Sequence, residues 1–441
     1  MRLAKGLTFL TLSLSLMAGT SFAETIELDI ETALNRAAEA NFQILLGQEA
    51  VTAQEENTRL SRSGLLPQVT LEAAQSRRQV PTFGPFADYF TVKRYFTNSF
   101  DAVLRARLAL VDTRSWDDWK LSKLTLQATR EQLENTVQEI QERIAIAYLL
   151  HWRNQKRLNV LDSILERDRI LLKVAKDQAD AGVATTLEVT RAEVRLNQNE
   201  LARIVQETAV MESALNLKRI LNYPLDADLV LKTQIDTVPP EVIGFTDEDF
   251  ETILNSRADY RSLQAELERS QVAANAVRRE HLPSLYVSGD WGYAAENWDD
   301  SQGEQWSVQL GLSMPVFEGF RIDANKQIAD SQLRQKEIEM ADLRSQIEAD
   351  YRLVLQRLSS AYRQVEVARR SRELSNREFE LERIRFEEGV TDNSDVVLAQ
   401  ANLADAEDTV VAAEYEYFLT FINLARTRGD IRRIIYWLEH Y

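Results

Sequence analysis

The chain has 441 residues and a formal net charge of −17 at pH 7, and it contains three histidines and no cysteine. Such an acidic chain repels phosphate backbones, so no nucleic-acid partner is expected. The lack of cysteine excludes disulfides, thiolate metal sites and a cysteine nucleophile, and three scattered histidines argue against a histidine-rich metal centre. Fourteen glycines and eight prolines are few for this length and indicate long helices with little loop.

Residues 1–23 have the pattern of an export signal. Arg2 and Lys5 precede the apolar run Leu7–Leu16, and Ser21-Phe22-Ala23 matches a small-x-Ala cleavage site. No apolar run of about 18–20 residues follows, so no transmembrane helix is expected. These features predict an exported, mostly helical, acidic protein.

The chain contains two similar halves, 24–238 and 239–441. Leu66-Pro67 of the first half is matched by Leu282-Pro283 of the second. Gly182 is matched by Gly389, and further identities continue beyond these glycines at the same offset of 207 residues. Landmarks of several kinds therefore recur in the same order, and we interpret them as an internal duplication.

In chain order, each half is predicted to contain a helix, two strands, a very long helix and a further long helix. The strands occupy about 67–112 and about 283–317, where apolar and polar residues alternate with a period of two. The long helices occupy about 114–222 and about 320–429, and a short C-terminal segment follows. The first long helix of each half has neither proline nor glycine and would form a rod on the order of 100 Å long.

Polar residues interrupt the apolar seam of the first rod. The seam follows the 3-4 spacing of a heptad, and His151, Asn154 and Asp168 lie on it. An isolated polar residue in such a seam most often sets the register between helices. We therefore interpret these three residues as structural rather than as ligands.

Four strands per chain are too few for a complete membrane barrel. Strands of about ten residues are long enough to cross an outer membrane, but an open sheet edge is not tolerated in lipid. Either the sheet is soluble, as in an ordinary sandwich, or several chains pool their strands, and three chains would supply twelve. Aromatic residues between the first two strands, together with Trp291 and Trp306, favour the pooled barrel because aromatic residues mark membrane interfaces.

These features together resemble the TolC family of outer-membrane efflux proteins. The resemblance rests on the duplicated element order, the paired Leu-Pro motifs, the Gly-Val turns at Gly182 and Gly389, and the segment Met314-Pro315-Val316-Phe317-Glu318-Gly319. It implies a mainly α-helical homotrimer with a long coiled-coil α-barrel and a shared twelve-stranded transmembrane β-barrel. It also implies an outer-membrane channel for efflux or type I secretion that extends into the periplasm. Its implied partners are a periplasmic adaptor protein, an inner-membrane transporter and outer-membrane lipid.

The resemblance also assigns a periplasmic gate to the two helix–helix turns. Glu188 and Asp395 each follow their glycine by six positions, and acidic side chains line the closed constriction in this family. Rings of carboxylates concentrate cations and repel anions. Thr185-x-x-Glu188 and Asp392-x-x-Asp395 equally match helix-capping pairs, and the two roles can coexist.

The second turn departs from the pattern of some relatives. Thr391 stands where these carry an arginine that latches the closed state, Phe386 lacks the hydroxyl of a latching tyrosine, and Leu398 replaces a second acid. The closed state is therefore expected to be held by fewer hydrogen bonds and ion pairs. Asp392 could substitute for the missing charge.

The sequence contains no motif for catalysis. A glycine-rich phosphate loop, a Gly-x-Ser-x-Gly elbow and a His-Glu-x-x-His pair are all missing, so neither an enzyme nor a cofactor is expected. The alternative to a channel is a structural periplasmic coiled-coil protein, which would account for the rods. It would not account for the four strands or for the duplication, so the channel is favoured.

Overall fold

A computed structural model describes residues 25–82, 93–182, 185–232, 250–300, 303–388, 390 and 393–432. The predicted export signal and the predicted boundary between the halves, at 238/239, lie outside the described residues. Within these ranges, none of the helices is both long and apolar enough to cross a membrane.

The two halves of the chain contain the same series of elements. The first half comprises β1 (Thr25–Leu28), α1 (Ile30–Ala40), α2 (Phe42–Ser63), β2 (Gln68–Thr82), β3 (Lys93–Val111), α3 (Thr113–Asp180) and α4 (Thr186–Ile220). The second series comprises β4 (Asp228–Leu231), α5 (Phe250–Ser256), α6 (Ala258–Arg278), β5 (Ser284–Ala295), β6 (Gly303–Ser313), α7 (Arg321–Glu387) and α8 (Asn393–Thr427), and its strand β4 precedes the predicted boundary at 238/239. The mainly helical fold class and the duplicated order of elements are confirmed.

Side-chain caps explain where three of the helices begin. The Asp29 carboxylate accepts a hydrogen bond from the Thr32 N–H at 2.6 Å at the start of α1. Asn41 and Asp112 accept backbone N–H bonds in the same way at the starts of α2 and α3. Each cap satisfies a backbone donor that has no partner within the helix.

One four-stranded antiparallel sheet joins the two halves. Its order is β2-β3-β5-β6, and β3 pairs with β5 across the duplication. β2 and β3 are 15 and 19 residues long and exceed the expected ten, because their ladder continues outward to the pair Thr82 and Lys93. The alternation also does not predict β1 and β4, which form a separate parallel pair. Four residues are too few for a period of two to be distinguished from a helical pattern.

The helices lie side by side in a layer that continues away from the four-stranded sheet. Next to the sheet their order is α2–α3–α6–α7, and at the far end it is α4–α3–α8–α7. The main apolar core lies where these two groups meet and includes Tyr148 of α3, Leu217 of α4 and Tyr417 of α8. One edge of the layer is therefore formed by α2 and α4, and the other edge by α7.

The polar residues of the first seam are hydrogen-bonded inside this layer. His151 is 1% exposed, and its Nδ1 lies 2.9 Å from the Ser213 hydroxyl. The Gln155 amide donates to His151 Nε2 at 3.0 Å, which leaves the proton of the neutral ring on Nδ1. Asn154 donates to the Ala209 carbonyl at 3.1 Å. The contacts of His151 with Ser213 and of Asn154 with Ala209 tie α3 to α4, in keeping with a structural role.

We predict that His151 makes the stability of the protein depend on pH. Burial lowers the pKa of His151 from 6.5 to about 4. Below pH 6.5 the unfolded chain therefore binds a proton that the folded protein does not, and the free energy of unfolding decreases until the pH reaches about 4. The complete loss is about 3.5 kcal/mol, since one pKa unit corresponds to about 1.4 kcal/mol.

His151→Gln removes the titrating group and keeps a polar partner for Ser213. Thermal unfolding of the two proteins over this pH range should show a flatter decline of Tm for the variant. The same substitution at the exposed His281 is the matched control. Parallel Tm curves for His151→Gln and the unaltered protein would contradict the prediction.

Candidate functional site

The first helix–helix turn connects α3 to α4. Gly182 has a φ of +75° and donates its N–H to the Ala179 carbonyl at 3.0 Å. Glycine enters this left-handed region without strain, so α3 ends here. The backbone N–H of Thr185 donates to Glu188 Oε2 at 3.3 Å, and the two residues form a capping box at the start of α4.

The second turn connects α7 to α8. The Val390 N–H donates to the Arg385 carbonyl at 2.8 Å, which is the bond that closes a Schellman motif at a helix end. Gly389, Thr391 and Asp392 lie outside the described residues, so their roles stay predictions. Asp395 is exposed in the first turn of α8.

Both turns lie at the same end of the helix layer. A separate group of buried residues, which we call the tip cluster, brings the ends of α3 and α7 against the start of α8. Phe386 is 4% exposed within it, so its ring packs between helices instead of facing solvent. The members of the tip cluster are Leu171, Phe379, Phe386, Val396, Ala399 and Leu403.

Glu188 and Asp395 place two carboxylates at the first turns of two helices at this end of the layer. The helix dipole favours negative charge at that position. Glu188 is half-buried and Asp395 is exposed. Capping therefore does not bury Glu188 completely, and the capping and pore-lining interpretations are compatible.

A buried carboxylate lies about 20 Å from the first turn, by the helical rise. Asp168 is 3% exposed; it accepts hydrogen bonds from Asn199 of α4 at 2.6 Å and from Gln400 of α8 at 2.5 Å. It therefore joins three helices. Burial raises the pKa of Asp168, and the two amide hydrogen bonds oppose that rise.

The two amide partners of Asp168 are not predicted from the sequence. The seam position of Asp168 predicts that it is buried, and a buried carboxylate requires hydrogen-bond donors. Amide residues on the neighbouring helices are therefore the candidate donors in the sequence. Asn199 and Gln400 are such residues, but the alignment of α4 and α8 along α3 has to be known before they can be selected.

The four-stranded sheet has one apolar face. The register aligns Leu71, Leu104, Trp291 and Trp306 in a row across all four strands, and Trp306 is 71% exposed. Large exposed apolar side chains continue along β6 on the same face. Apolar areas of this extent on a protein surface mark contact with a partner or a membrane.

The opposite face of the sheet is polar. Arg105 donates to Glu72 at 2.6 Å and lies 3.4 Å from Asp290. The Ser307 hydroxyl donates to Asp290 at 3.0 Å. This row crosses all four strands from β2 to β6, and such charged groups need water or one another as partners.

Apolar stripes also run along the two edges of the helix layer. At the far end these edges are α4 and α7, and on each of them exposed apolar residues follow a seven-residue spacing in which one position is polar, Thr208 on α4 and Ser360 on α7. A seven-residue repeat places side chains on one face of a helix, as in a coiled-coil seam. The stripes are Leu187, Val194, Leu201 and Leu215 on α4, and Leu353, Val367, Leu374 and Leu381 on α7.

The model of the family described as "Outer membrane efflux protein" matches residues 33–223 and 250–430. The chain belongs to this family. The two matched ranges fall in the two halves of the duplication. The predicted outer-membrane channel of an efflux or secretion system is thereby confirmed, with its location in the outer membrane and the periplasm, and the structural coiled-coil alternative is not supported.

Individual relatives are distant in sequence but match along most of their length. The chain is 21% identical to the protease secretion protein PrtF of Dickeya chrysanthemi, over 98% of this chain and 94% of that protein. It is 23% identical to the toluene efflux pump outer membrane protein TtgF of Pseudomonas putida, over 91% and 82% of the two chains. Its structure resembles the CmeC outer membrane channel of Campylobacter jejuni with a TM-score of 0.78 and 16% identity, covering 93% and 89%.

We predict that the efflux protein depends on Asp168 for stability. Asp168→Leu leaves the buried amide of Gln400 and the half-buried amide of Asn199 without this acceptor, and an unsatisfied buried donor costs about 1–3 kcal/mol. Asp168→Asn retains an acceptor and should lower the Tm less. Thermal unfolding of the detergent-solubilised variants measures the difference, and equal Tm values for the two would contradict this role.

Proposed function

We propose that three copies of the chain assemble into one continuous channel, with each copy supplying four strands and one segment of the helical barrel. The observation that carries this proposal is the pair of apolar stripes on α4 and α7. They occupy opposite edges of the helix layer, so a single chain cannot bring them together. A ring of copies would pack the α4 edge of each chain against the α7 edge of the next.

The register of the two stripes supports this contact. Leu187 follows Gly182 by five positions, and Leu381 precedes Gly389 by eight. Because α4 runs away from its turn and α7 runs toward its own, each step of seven keeps that offset, so that Val194 would lie between the heights of Leu374 and Leu381, and Leu201 between those of Val367 and Leu374. An offset of three residues is about 4.5 Å of helix, so the side chains of one stripe would fall between those of the other, as knobs pack into holes in a coiled coil.

The sheet supports the same assembly. β2 and β6 are its edges, and their outer backbone groups need hydrogen-bond partners in a membrane. Three sheets joined edge to edge would form a closed barrel of twelve strands. The apolar face would then contact lipid, and the polar row at Arg105 would line the lumen.

At the opposite end of the channel, the proposed gate consists of Glu188 and Asp395 from each copy, set by the turns at Gly182 and Gly389. Three copies would place six carboxylates around the constriction and favour cations. Phe386 would support this ring from the tip cluster. Thr391 and Asp392 are proposed to adjust how tightly the gate closes.

The partners of the channel are proposed to be a periplasmic adaptor protein and an inner-membrane transporter. The similarity to PrtF, a protease secretion protein, and to TtgF, a toluene efflux pump protein, supports this proposal. In such a system the transporter selects the cargo, and the trimeric channel supplies the passage across the periplasm and the outer membrane.

The assembly is tested by the mass of the detergent-solubilised protein, measured by light scattering with the detergent subtracted. We expect the mass of three chains. Leu374→Glu should lower that mass, because a charge buried in an apolar interface costs several kcal/mol. Leu374→Met, which keeps the apolar volume, is the matched control.

A second substitution tests the register. Val194→Lys, offset by only about 4.5 Å from Leu374→Glu across the proposed interface by the helical rise, is within reach of an ion pair and should restore much of the trimer. The same lysine at Leu215, about 30 Å farther along α4 by the helical rise, should not. A monomer or dimer for the unaltered protein would refute the proposed assembly.

The gate is tested by conductance in planar lipid bilayers. Glu188→Gln with Asp395→Asn removes the charge while glutamine retains the capping bond, and we expect a lower preference for cations. Glu188→Ala with Asp395→Ala should show the same change in selectivity. Unchanged selectivity and conductance in both double variants would rule out a gate at these residues.

A further inference from the structure

The polar face of the four-stranded sheet carries a second arginine with different surroundings. Arg107 lies one row closer to the helices than Arg105, on the same face of β3. Its row contains Gln68, Ser288 and Gln309, which are all uncharged. Across the described ranges, Arg107 has no carboxylate partner, whereas Arg105 has two.

An aromatic ring positions Arg107 against the sheet. Its guanidinium carbon lies 4.6 Å from the ring centroid of Tyr286 on β5, a cation–π contact that leaves the N–H groups available to other partners. The Tyr286 ring lies against Gly311 of β6. A Cβ at Gly311 would lie 2.3 Å from Tyr286 Cζ, so a glycine is required for the ring to take this place.

The contact with Tyr286 holds the Arg107 guanidinium in place, and among the described residues no carboxylate neutralises its charge. The opposite face has a counterpart in which Arg77 of β2 lies 4.8 Å above the ring of Phe96. Arg77 shares the face of Leu71, so it points away from the polar row. The two arginines are therefore alike in stacking and differ in the side of the sheet on which they lie.

We propose that Arg107 is a specificity-determining residue that attracts anionic groups inside the barrel. Resting on the proposed trimer, three copies of Arg107 would form a positive ring near the helical end of the barrel lumen, where β3 is four residues from its end. This ring lies about 7 Å from the polar row at Arg105, by the rise of two strand residues. Anionic solutes, or anionic groups of a larger cargo, would be stabilised as they pass it.

The test is the reversal potential of single channels in planar bilayers, with potassium chloride gradients near 10 mM, where the screening length of about 30 Å lets wall charges act across a lumen. Arg107→Gln should raise the cation-to-anion permeability ratio by roughly twofold or more, because three fixed positive charges are lost. Arg107→Lys keeps the charge and should retain the original ratio. The variants are also measured in the Glu188→Gln/Asp395→Asn background, so that the proposed gate does not dominate the selectivity.

Arg77→Gln is the matched control, since it removes a stacked arginine from the outer face and should leave the permeability ratio unchanged. A ratio that is the same for Arg107→Gln and the unaltered protein in both backgrounds would overturn the proposal, as would an equal effect of Arg77→Gln. The failure of the unaltered protein to form channels would instead refute the assembly on which the proposal rests. Normal trimer mass for Arg107→Gln confirms that the change in selectivity does not come from misassembly.

Discussion

The unpaired backbone groups along β2 and β6 are the constraint on which the rest of the structure depends. A sheet of four strands with an apolar face cannot remain open in lipid, because each unpaired amide and carbonyl there lacks any hydrogen-bond partner. In the proposed trimer, closure comes from other copies of the chain. Since β2 follows α2 and β6 leads into α7, the edges that would meet between sheets in that trimer are also the edges that would meet between helix layers.

Much of this architecture can be predicted from the sequence because its signals are long. A run of 67 or 68 helical residues without proline or glycine allows few interpretations, and the alternation of the strands separates one face of the sheet from the other. The outward extension of β2 and β3 is harder to predict, since aromatic residues there suit a loop and a strand equally. The pair β1 and β4 is too short to carry a periodic pattern.

The contacts of the candidate site are harder to predict from the sequence, because they depend on how the helices align with one another. Phe386 shows this well: its place three residues before Gly389 marks it as a candidate gate residue, and its burial in the tip cluster becomes evident only when α7 and α8 are set side by side. Asp168 is recognisable as a buried polar residue, but its partners Asn199 and Gln400 come from two other helices. Arg107 is one of many arginines in the sequence, and only the strand register separates it from Arg105.

The duplication has a consequence for symmetry. In a ring of three chains the helical wall would contain six similar units, so its arrangement would be pseudo-sixfold with true threefold symmetry. Contacts of α3 with α8 inside a chain would alternate around the ring with contacts of α4 with α7 between chains. Because the two kinds of contact come from different residues, substitutions can tune one without the other. The wall can then loosen at three of its six seams while the other three hold.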